Sequence, residues 1–205
     1  AGYHMHLPYL STELSDKQKS ALKSNVKMPF IAINVFLRNG KPLKELGAAS
    51  FYFPGRVLHE CMAYGRSLGK HTQDFSADEP VILYMIGPKV TPHSGLTLQD
   101  QYRHGRIDLL SMTFEDYEIE IRQQLKSLFS STSFDVSEDI IGITVNRWPH
   151  GYTRQYNSLF DSGFEEGHRP HEIARKRFGN IAIANADASY KALVNAAIDE
   201  GLRAV

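Results

Sequence analysis

The chain of 205 residues has little of several features that define common protein classes. It has one cysteine, Cys61, which excludes an internal disulfide framework and a cysteine-based zinc site. Its longest uncharged apolar run, residues 29–37, has about half of the roughly 20 residues that a membrane helix needs. Lys plus Arg and Asp plus Glu number 23 each, so no excess charge favours nucleic acid or anionic lipid as a partner.

Several catalytic motifs are also absent from the sequence. It contains no G-x-G-x-x-G, no P-loop and no G-x-S-x-G. A self-sufficient flavin or nicotinamide enzyme of the Rossmann type would need the first of these to bind pyrophosphate. The nine histidines include the close pairs His4/His6 and His168/His171, but neither pair has a third ligand at a recognised spacing. The sequence therefore predicts no metal site.

The pattern of apolar residues predicts a mixture of strands and helices. Ser15 followed by Gln18 is typical of a capping box, and residues 113–129 repeat apolar side chains with a period of 3.6. These two features predict helices over 15–25 and 114–129. A third helix is predicted over 189–203. Short runs rich in Ile, Val and Phe predict strands over 29–37, 48–56, 81–86, 140–145 and 180–185. Residues 64–79 and 88–104 are expected to be loops, because they are polar or contain proline and glycine.

These segments predict an α+β fold without the regular alternation of a doubly wound domain. We expect strands 30–37, 81–86 and 140–145 to share a mixed β-sheet, with the helix over 114–129 packed on it. Residues 1–145 would form this sheet-and-helix domain. Residues 146–205 would end in a strand, an acidic turn and a helix, an arrangement typical of nucleotide-binding domains.

Asp187 lies in that acidic turn, after the small-residue segment Ile181-Ala182-Ile183-Ala184-Asn185-Ala186. Small residues allow close approach of a ligand, and a carboxylate before a helix can accept hydrogen bonds from ribose or ribityl hydroxyls. The alternative is that Asp187 only caps the helix. The pattern leaves both roles open.

A second motif follows the strand over 140–145. Asn146-Arg147-Trp148-Pro149-His150-Gly151-Tyr152 contains the only tryptophan of the chain, with Tyr152 and Tyr156 close behind. Aromatic faces at a strand end can surround an organic cation. A Trp-Pro pair can equally cover the hydrophobic core.

Five segments together resemble one known family. They are residues 6–43, 78–86, 100–125, 139–161, which contain RWPHGY, and 175–205, which contain IANADA and AAIDEG. Over nearly the whole chain the sequence resembles the C-terminal part of bacterial spermidine dehydrogenases, which belong to the FAD-dependent amine oxidase superfamily. The likeness is weakest over 51–71. It departs from the family pattern in having Asp for Glu at position 187 and Ala for Gly at positions 186 and 196.

The resemblance implies a set of site residues. Asp187 would bind flavin hydroxyls, Val194 would approach the isoalloxazine ring, and the closing helix would carry its small residues near the cofactor. Aromatic side chains would line the binding site of the amine substrate. The cofactor residues are Asp187, Val194, Ala196 and Ala197, with Gly201 nearby in the helix; the substrate residues are Trp148, Tyr152 and Tyr190. No catalytic residue is assigned.

The resemblance also implies a function. The flavin would take hydride from the carbon next to an amine nitrogen, and water would hydrolyse the resulting imine. Ala1 would correspond to an internal point of a longer protein whose N-terminal portion carries the glycine-rich motif, so the C-terminal strand and helix would complete an otherwise missing FAD domain. Family members also associate with haem, but none of His4, Met5 and His6 is singled out as a ligand. Asp78 and Glu79 are candidates to meet remote ammonium groups of a polyamine.

Other interpretations remain at this stage. The chain could bind a polyamine-like or flavin ligand without turnover, or serve as a structural subunit. It could also act on another amine or an unsaturated lipid. The electron acceptor and oligomeric state are not predicted, and both cytoplasm and periplasm remain open as compartments.

Overall fold

A computed structural model describes residues 3–10, 13–64, 75–90, 95–157, 159, 161 and 163–205. The elements follow one another as α1 (Tyr3–Leu10), α2 (Asp16–Ser24), β1 (Lys27–Leu37), α3 (Lys41–Leu46), β2 (Ser50–Tyr52), β3 (Glu60–Tyr64), β4 (Val81–Pro88), α4 (Leu98–Ser111), α5 (Phe114–Leu128), β5 (Ile140–Thr153), α6 (Pro170–Ala174), α7 (Ala186–Ser189) and α8 (Val194–Ala204). The mixed α and β content agrees with the predicted α+β class.

The chain divides into two compact units that interleave in sequence. The terminal unit comprises 1–28, 97–102 and 150–205, and the sheet unit comprises 29–96 and 103–149. The sequence predicted one boundary between 145 and 146, whereas this division also assigns the N-terminal helices to the same unit as the C-terminal segment. The substrate and flavin roles given to the two predicted domains remain predictions.

The five strands form one open sheet in the order β2-β3-β4-β1-β5. Strands 30–37, 81–86 and 140–145 share this sheet, as predicted, but the sheet is antiparallel rather than mixed. Phe30 lies opposite Pro88, and Leu37 lies opposite Val81. Only residues 53–59 join β2 to β3, too few for the crossover that parallel pairing requires.

One face of the sheet carries the main hydrophobic core. Ile31, Ile33, Val35 and Leu37 alternate along β1 and are fully buried with residues of the same face of β3 and β4. Helix α5 covers this face with Tyr117, Ile121 and Leu125, at helical spacing. Thr113 caps α5, accepting from the Asp116 backbone N–H while Asp116 accepts from the Thr113 N–H. The predicted helix over 114–129 and its packing on the sheet are confirmed.

The predicted loop over 88–104 is wrong in its second half, because α4 begins at Leu98. The prolines and the glycine that suggested a loop precede the helix. Gly105 also weakened the apolar helical pattern of this segment, because it occupies a position on the buried face of α4 where a helix usually carries an apolar side chain. A Cβ at Gly105 would lie 1.8 Å from the Lys89 carbonyl oxygen, so only glycine permits this approach of helix and strand end.

Other boundaries also differ from prediction. The strand predicted over 48–56 is reduced to β2, β3 was not predicted, and residues 65–74 of the predicted 64–79 loop lie outside the described residues. No strand forms over 180–185; Ile181 makes only an isolated bridge with Phe178. A strand needs a neighbour for its backbone groups, and the described chain supplies only that bridge here. The helix predicted over 189–203 begins only at Val194, as α8. The short helix α7 precedes it and ends at Tyr190, which adopts a left-handed conformation (φ 53°).

The terminal unit has a smaller core of its own. Leu14, Ala21, Leu22 and Ala174 form its centre, where α2 packs on α6. Ser15 caps α2 by accepting from the Gln18 backbone N–H, which confirms the predicted start of this helix. No helix in the described part of the chain is long and apolar enough to span a membrane.

Candidate functional site

The face of the sheet opposite α5 carries a row of aromatic side chains, here called the aromatic face: Phe30, Phe36, Tyr64, Tyr84 and Trp148. Side chains alternate along each strand, which places these residues opposite the core set of β1, β3 and β4. The rings of Phe30 and Trp148 stack with centroids 6.1 Å apart and an interplanar angle of 7°. Tyr64 and Tyr84 meet edge to face at 6.2 Å. Trp148 is 50% exposed, so its ring is available to a ligand.

A carboxylate lies on the same face. Glu60 precedes Met62 and Tyr64 on β3 at the two-residue spacing that keeps all three on one side of the sheet. It is half-buried and pairs in register with Ile86. Trp148 on β5 and Glu60 on β3 are three strand spacings apart, roughly 14 Å across the strands. On the aromatic face, Trp148 therefore lies towards the β5 edge of the sheet and Glu60 towards the β2 edge.

Sequence reasoning found Trp148 but missed its neighbours. Phe30 was predicted only as part of the strand over 29–37, and β3, which holds Glu60 and Tyr64, was not predicted. The available signal was alternation, but it identifies a shared face only once the strand register is known. Asp78, suggested for a remote ammonium group, is exposed and lies 3.7 Å from Lys41.

The other two predicted substrate residues lie in the terminal unit. Tyr152 is exposed near the end of β5. Tyr190 is buried, and its ring contacts that of His171 with centroids 4.5 Å apart. Burial is the main cause that raises the pKa of Tyr190; the Asp187 charge adds to it and the charge of Arg154 opposes it. Trp148 lies in the sheet unit, so no single unit brings the three aromatic residues together.

Asp187 holds a buried ion pair. Its two carboxylate oxygens lie 2.8 and 3.0 Å from Lys27 Nζ, and the two side chains are 2% and 5% exposed. The helix cap is Asn185 instead, whose side chain accepts from the Ala188 N–H. Asn25 donates to the Asp187 carbonyl oxygen at 3.1 Å. The structure thus gives Asp187 a third role besides the two predicted ones: its carboxylate neutralises the buried Lys27 ammonium.

The remaining predicted cofactor residues lie on α8 at different depths. Val194 is 79% exposed in the first turn, Ala196 is buried, and Ala197 and Gly201 are half-buried. A ribityl hydroxyl does not fit beside Asp187 in this arrangement, because the carboxylate is enclosed and occupied by Lys27. The flavin roles of these four residues stay predictions from the resemblance.

The described residues offer neither a metal site nor a reactive thiol. No three His, Cys, Asp or Glu side chains there are placed to hold a metal ion. Of the three residues named for haem, His6 is exposed, and the side chains of His4 and Met5 lie outside the described set. Burial raises the pKa of the Cys61 thiol to about 12, so it is not a nucleophile at neutral pH.

Comparison of the chain with protein-family models and with curated proteins gives no match.

Proposed function

We propose that the chain is the amine-binding part of a flavin-dependent amine oxidoreductase, with a polyamine such as spermidine as substrate. The observation that carries the proposal is the half-exposed Trp148 ring stacked on Phe30 in the aromatic face. It agrees with the resemblance of the RWPHGY segment to amine oxidases. The proposed reaction removes hydride from the carbon next to an amine nitrogen.

Aromatic rings suit this task for two physical reasons. The face of an indole or phenol ring attracts a cation within about 6 Å, so the aromatic face would hold a protonated amine. Close packing against rings also removes water, which favours the neutral amine that loses hydride readily. Trp148, stacked on Phe30, would thus orient the reacting end of the substrate without donating a proton.

Glu60 is proposed to neutralise a remote ammonium group. A linear polyamine lying across the strands would reach from Trp148 towards β3, where Glu60 shares the aromatic face. A monoamine would leave this carboxylate unused. Glu60 therefore provides a basis for preferring polyamines.

The redox cofactor enters the proposal only through the resemblance. Since the 205 residues contain no glycine-rich pyrophosphate loop and Asp187 is engaged with Lys27, no chemical step is placed on the predicted flavin residues. The FAD would be held mainly by residues outside this sequence.

Fluorescence of Trp148 tests amine binding directly, because it is the only tryptophan in the chain. We expect spermidine to change the emission saturably. Glu60→Gln should weaken binding roughly fivefold, as expected for a partly exposed ion pair of up to about 1 kcal/mol. Glu115→Gln on α5 removes the same charge on the helix side of the sheet and should have no effect. An unchanged emission, or equal weakening by the two variants, would overturn the proposal.

A further inference from the structure

The sheet unit contains a cavity of about 500 Å³, a size within the range of small-molecule sites. The β2–β3 connection, the end of β4 and helix α4 border it. Its lining includes Tyr52, Arg56, Val57, His59, Lys89 and Asp108.

Close backbone contacts hold the walls of this cavity in place. A Cβ at Gly87 would lie 1.8 Å from the Val57 carbonyl oxygen, so the β2–β3 connection packs directly on β4. Gln124 of α5 donates from Nε2 to the Leu58 carbonyl oxygen at 2.6 Å and fixes the same connection. Helix α4 packs equally closely on the end of β4 at Gly105. The cavity therefore has walls that are in place before a ligand binds.

Lys89 lies half-buried in the wall and forms no ion pair with any residue that the structure describes. Its Nζ lies 3.2 Å from the Met112 sulfur and 5.6 Å from the centroid of the Tyr117 ring. A thioether is a weak hydrogen-bond acceptor and carries no charge, so it stabilises an ammonium less than a carboxylate would. Burial lowers the pKa of Lys89, while the charges of Asp108 and Glu120 oppose this shift. A lysine in such surroundings is more often the neutral amine, which is the nucleophilic form.

Asp108 connects the Lys89 amine to the cavity. The Met112 backbone N–H donates to the Asp108 carbonyl oxygen at 3.3 Å, so these two residues lie one helical turn apart at the end of α4. Met112 contacts the amine, and Asp108 lines the cavity. The amine therefore lies at the α4 wall of the cavity.

We propose that Lys89 forms an imine with a small aromatic aldehyde that binds in this cavity. The neutral Nζ adds to the carbonyl carbon, and the carbonyl oxygen then leaves as water with the two amine hydrogens. The reaction needs no oxidant or reductant. Tyr52 and His59, whose rings meet edge to face at 5.5 Å, supply aromatic surface for the aldehyde ring, together with Val57. The site uses neither a flavin nor an amine substrate, so it does not depend on the proposed function.

Imine formation at Lys89 should depend on pH in a characteristic way. Its rate should reach half of its maximum at a lower pH than the rate for Nα-acetyllysine, because a buried ammonium loses its proton more easily. Charged or titratable groups of four elements lie around Lys89 or line the cavity: Arg56 and His59 in the β2–β3 connection, Asp108 on α4, Tyr117 and Glu120 on α5, and Arg147 of β5, which donates to the Met112 carbonyl oxygen.

Reduction with cyanoborohydride followed by peptide mass spectrometry tests the site, with salicylaldehyde as the probe. The 205-residue chain is incubated with an equimolar amount of the aldehyde, and modification is measured at each lysine. Binding in the cavity holds the aldehyde beside the amine, so Lys89 should be modified at least about tenfold faster than Lys44. Lys44 is a matched control because its ammonium also lies near a ring, 4.8 Å from the Phe75 centroid, at a residue that does not line this cavity.

Two variants and a competitor separate binding from simple reactivity. Val57→Trp fills the cavity and should slow the modification of Lys89 about tenfold. Val194→Trp adds the same ring at an exposed position of α8 and should leave the rate unchanged. Thermal unfolding shows whether both variants keep the fold. Excess salicyl alcohol, which has the same ring without the carbonyl group, should slow the reaction of the wild-type chain.

Preferential modification of Lys89 that is slowed by Val57→Trp and by salicyl alcohol, but not by Val194→Trp, supports the proposal. Equal modification of Lys89 and Lys44 in the wild-type chain would overturn it. So would a Lys89 rate that salicyl alcohol and Val57→Trp leave unchanged, or a pH dependence equal to that of Nα-acetyllysine.

Discussion

Asp187 is 2% exposed and holds its ion pair with Lys27 inside the terminal unit. Its neighbours suggested a cap or a cofactor ligand, and both interpretations used only the residues around it. Its partner, Lys27, is 160 residues away in sequence, and no local pattern links the two. The small side chains before Asp187 predicted the close approach of a ligand, whereas the observed partner of the carboxylate is Lys27 of the same unit.

We predict that Asp187→Asn destabilises the chain by about 3–5 kcal/mol, because the Lys27 ammonium would stay buried without an anion. Urea unfolding measures the change. A mere cap would tolerate the substitution, since asparagine caps about as well as aspartate.

Two variants serve as controls for this pair. Asp199→Asn, an exposed acid of α8, should change the unfolding free energy by no more than about 0.5 kcal/mol. The double variant Lys27→Met/Asp187→Leu should lose less than the two single substitutions together, because no buried charge is left alone. Wild-type stability in Asp187→Asn would show that the ion pair is unimportant.

At the scale of elements, prediction succeeded where a segment carries its own signal. Helix α5 has a capping box and an apolar stripe, and β1 and β4 are continuous apolar runs between turn residues. It failed where the element depends on a distant neighbour. Gly105 lies at the core face of α4 because the Lys89 backbone is there, and residues 180–185 have strand-like composition without a strand to pair with.

Two glycine substitutions test this explanation with opposite expected signs. Gly105→Ala should destabilise the chain by several kcal/mol, because the new methyl group would meet the Lys89 carbonyl oxygen at 1.8 Å. Gly201→Ala in α8 has no atom within 4 Å of the new Cβ and should stabilise by about 0.5–1 kcal/mol through helix propensity. Thermal unfolding measures both. Similar effects of the two substitutions would contradict the close approach of α4 to Lys89.

In the molecule as a whole, the N-terminal helices and the C-terminal segment belong to one unit, and most of the sheet unit lies between them in sequence. Sequence order suggested two successive domains because it does not reveal which distant segments pack together. The aromatic face lies entirely within the sheet unit, whereas Asp187, Val194, Ala196 and Ala197 belong to the terminal unit. Trp148 could be predicted as a candidate from its motif. Its grouping with Phe30, Tyr84 and Glu60 required the strand register.

We expect the 205-residue chain alone not to retain FAD. It has no glycine-rich loop to provide backbone N–H groups to the pyrophosphate, and Asp187 is engaged with Lys27. The test is gel filtration of the purified chain after incubation with FAD, followed by a visible spectrum. Stoichiometric bound flavin would contradict this expectation and assign the cofactor site to these residues.

We propose that this chain takes part in amine oxidation by a flavin. Its most direct test is anaerobic addition of spermidine to the protein isolated from its own cells with any flavin-bearing portion still associated, while flavin absorbance is recorded. We expect spermidine to bleach the flavin bands and Trp148→Ala to slow the bleaching, whereas Trp148→Phe should largely preserve the bleaching rate because an aromatic ring remains at this position. A preparation without flavin, or a flavin that no amine reduces, would contradict it.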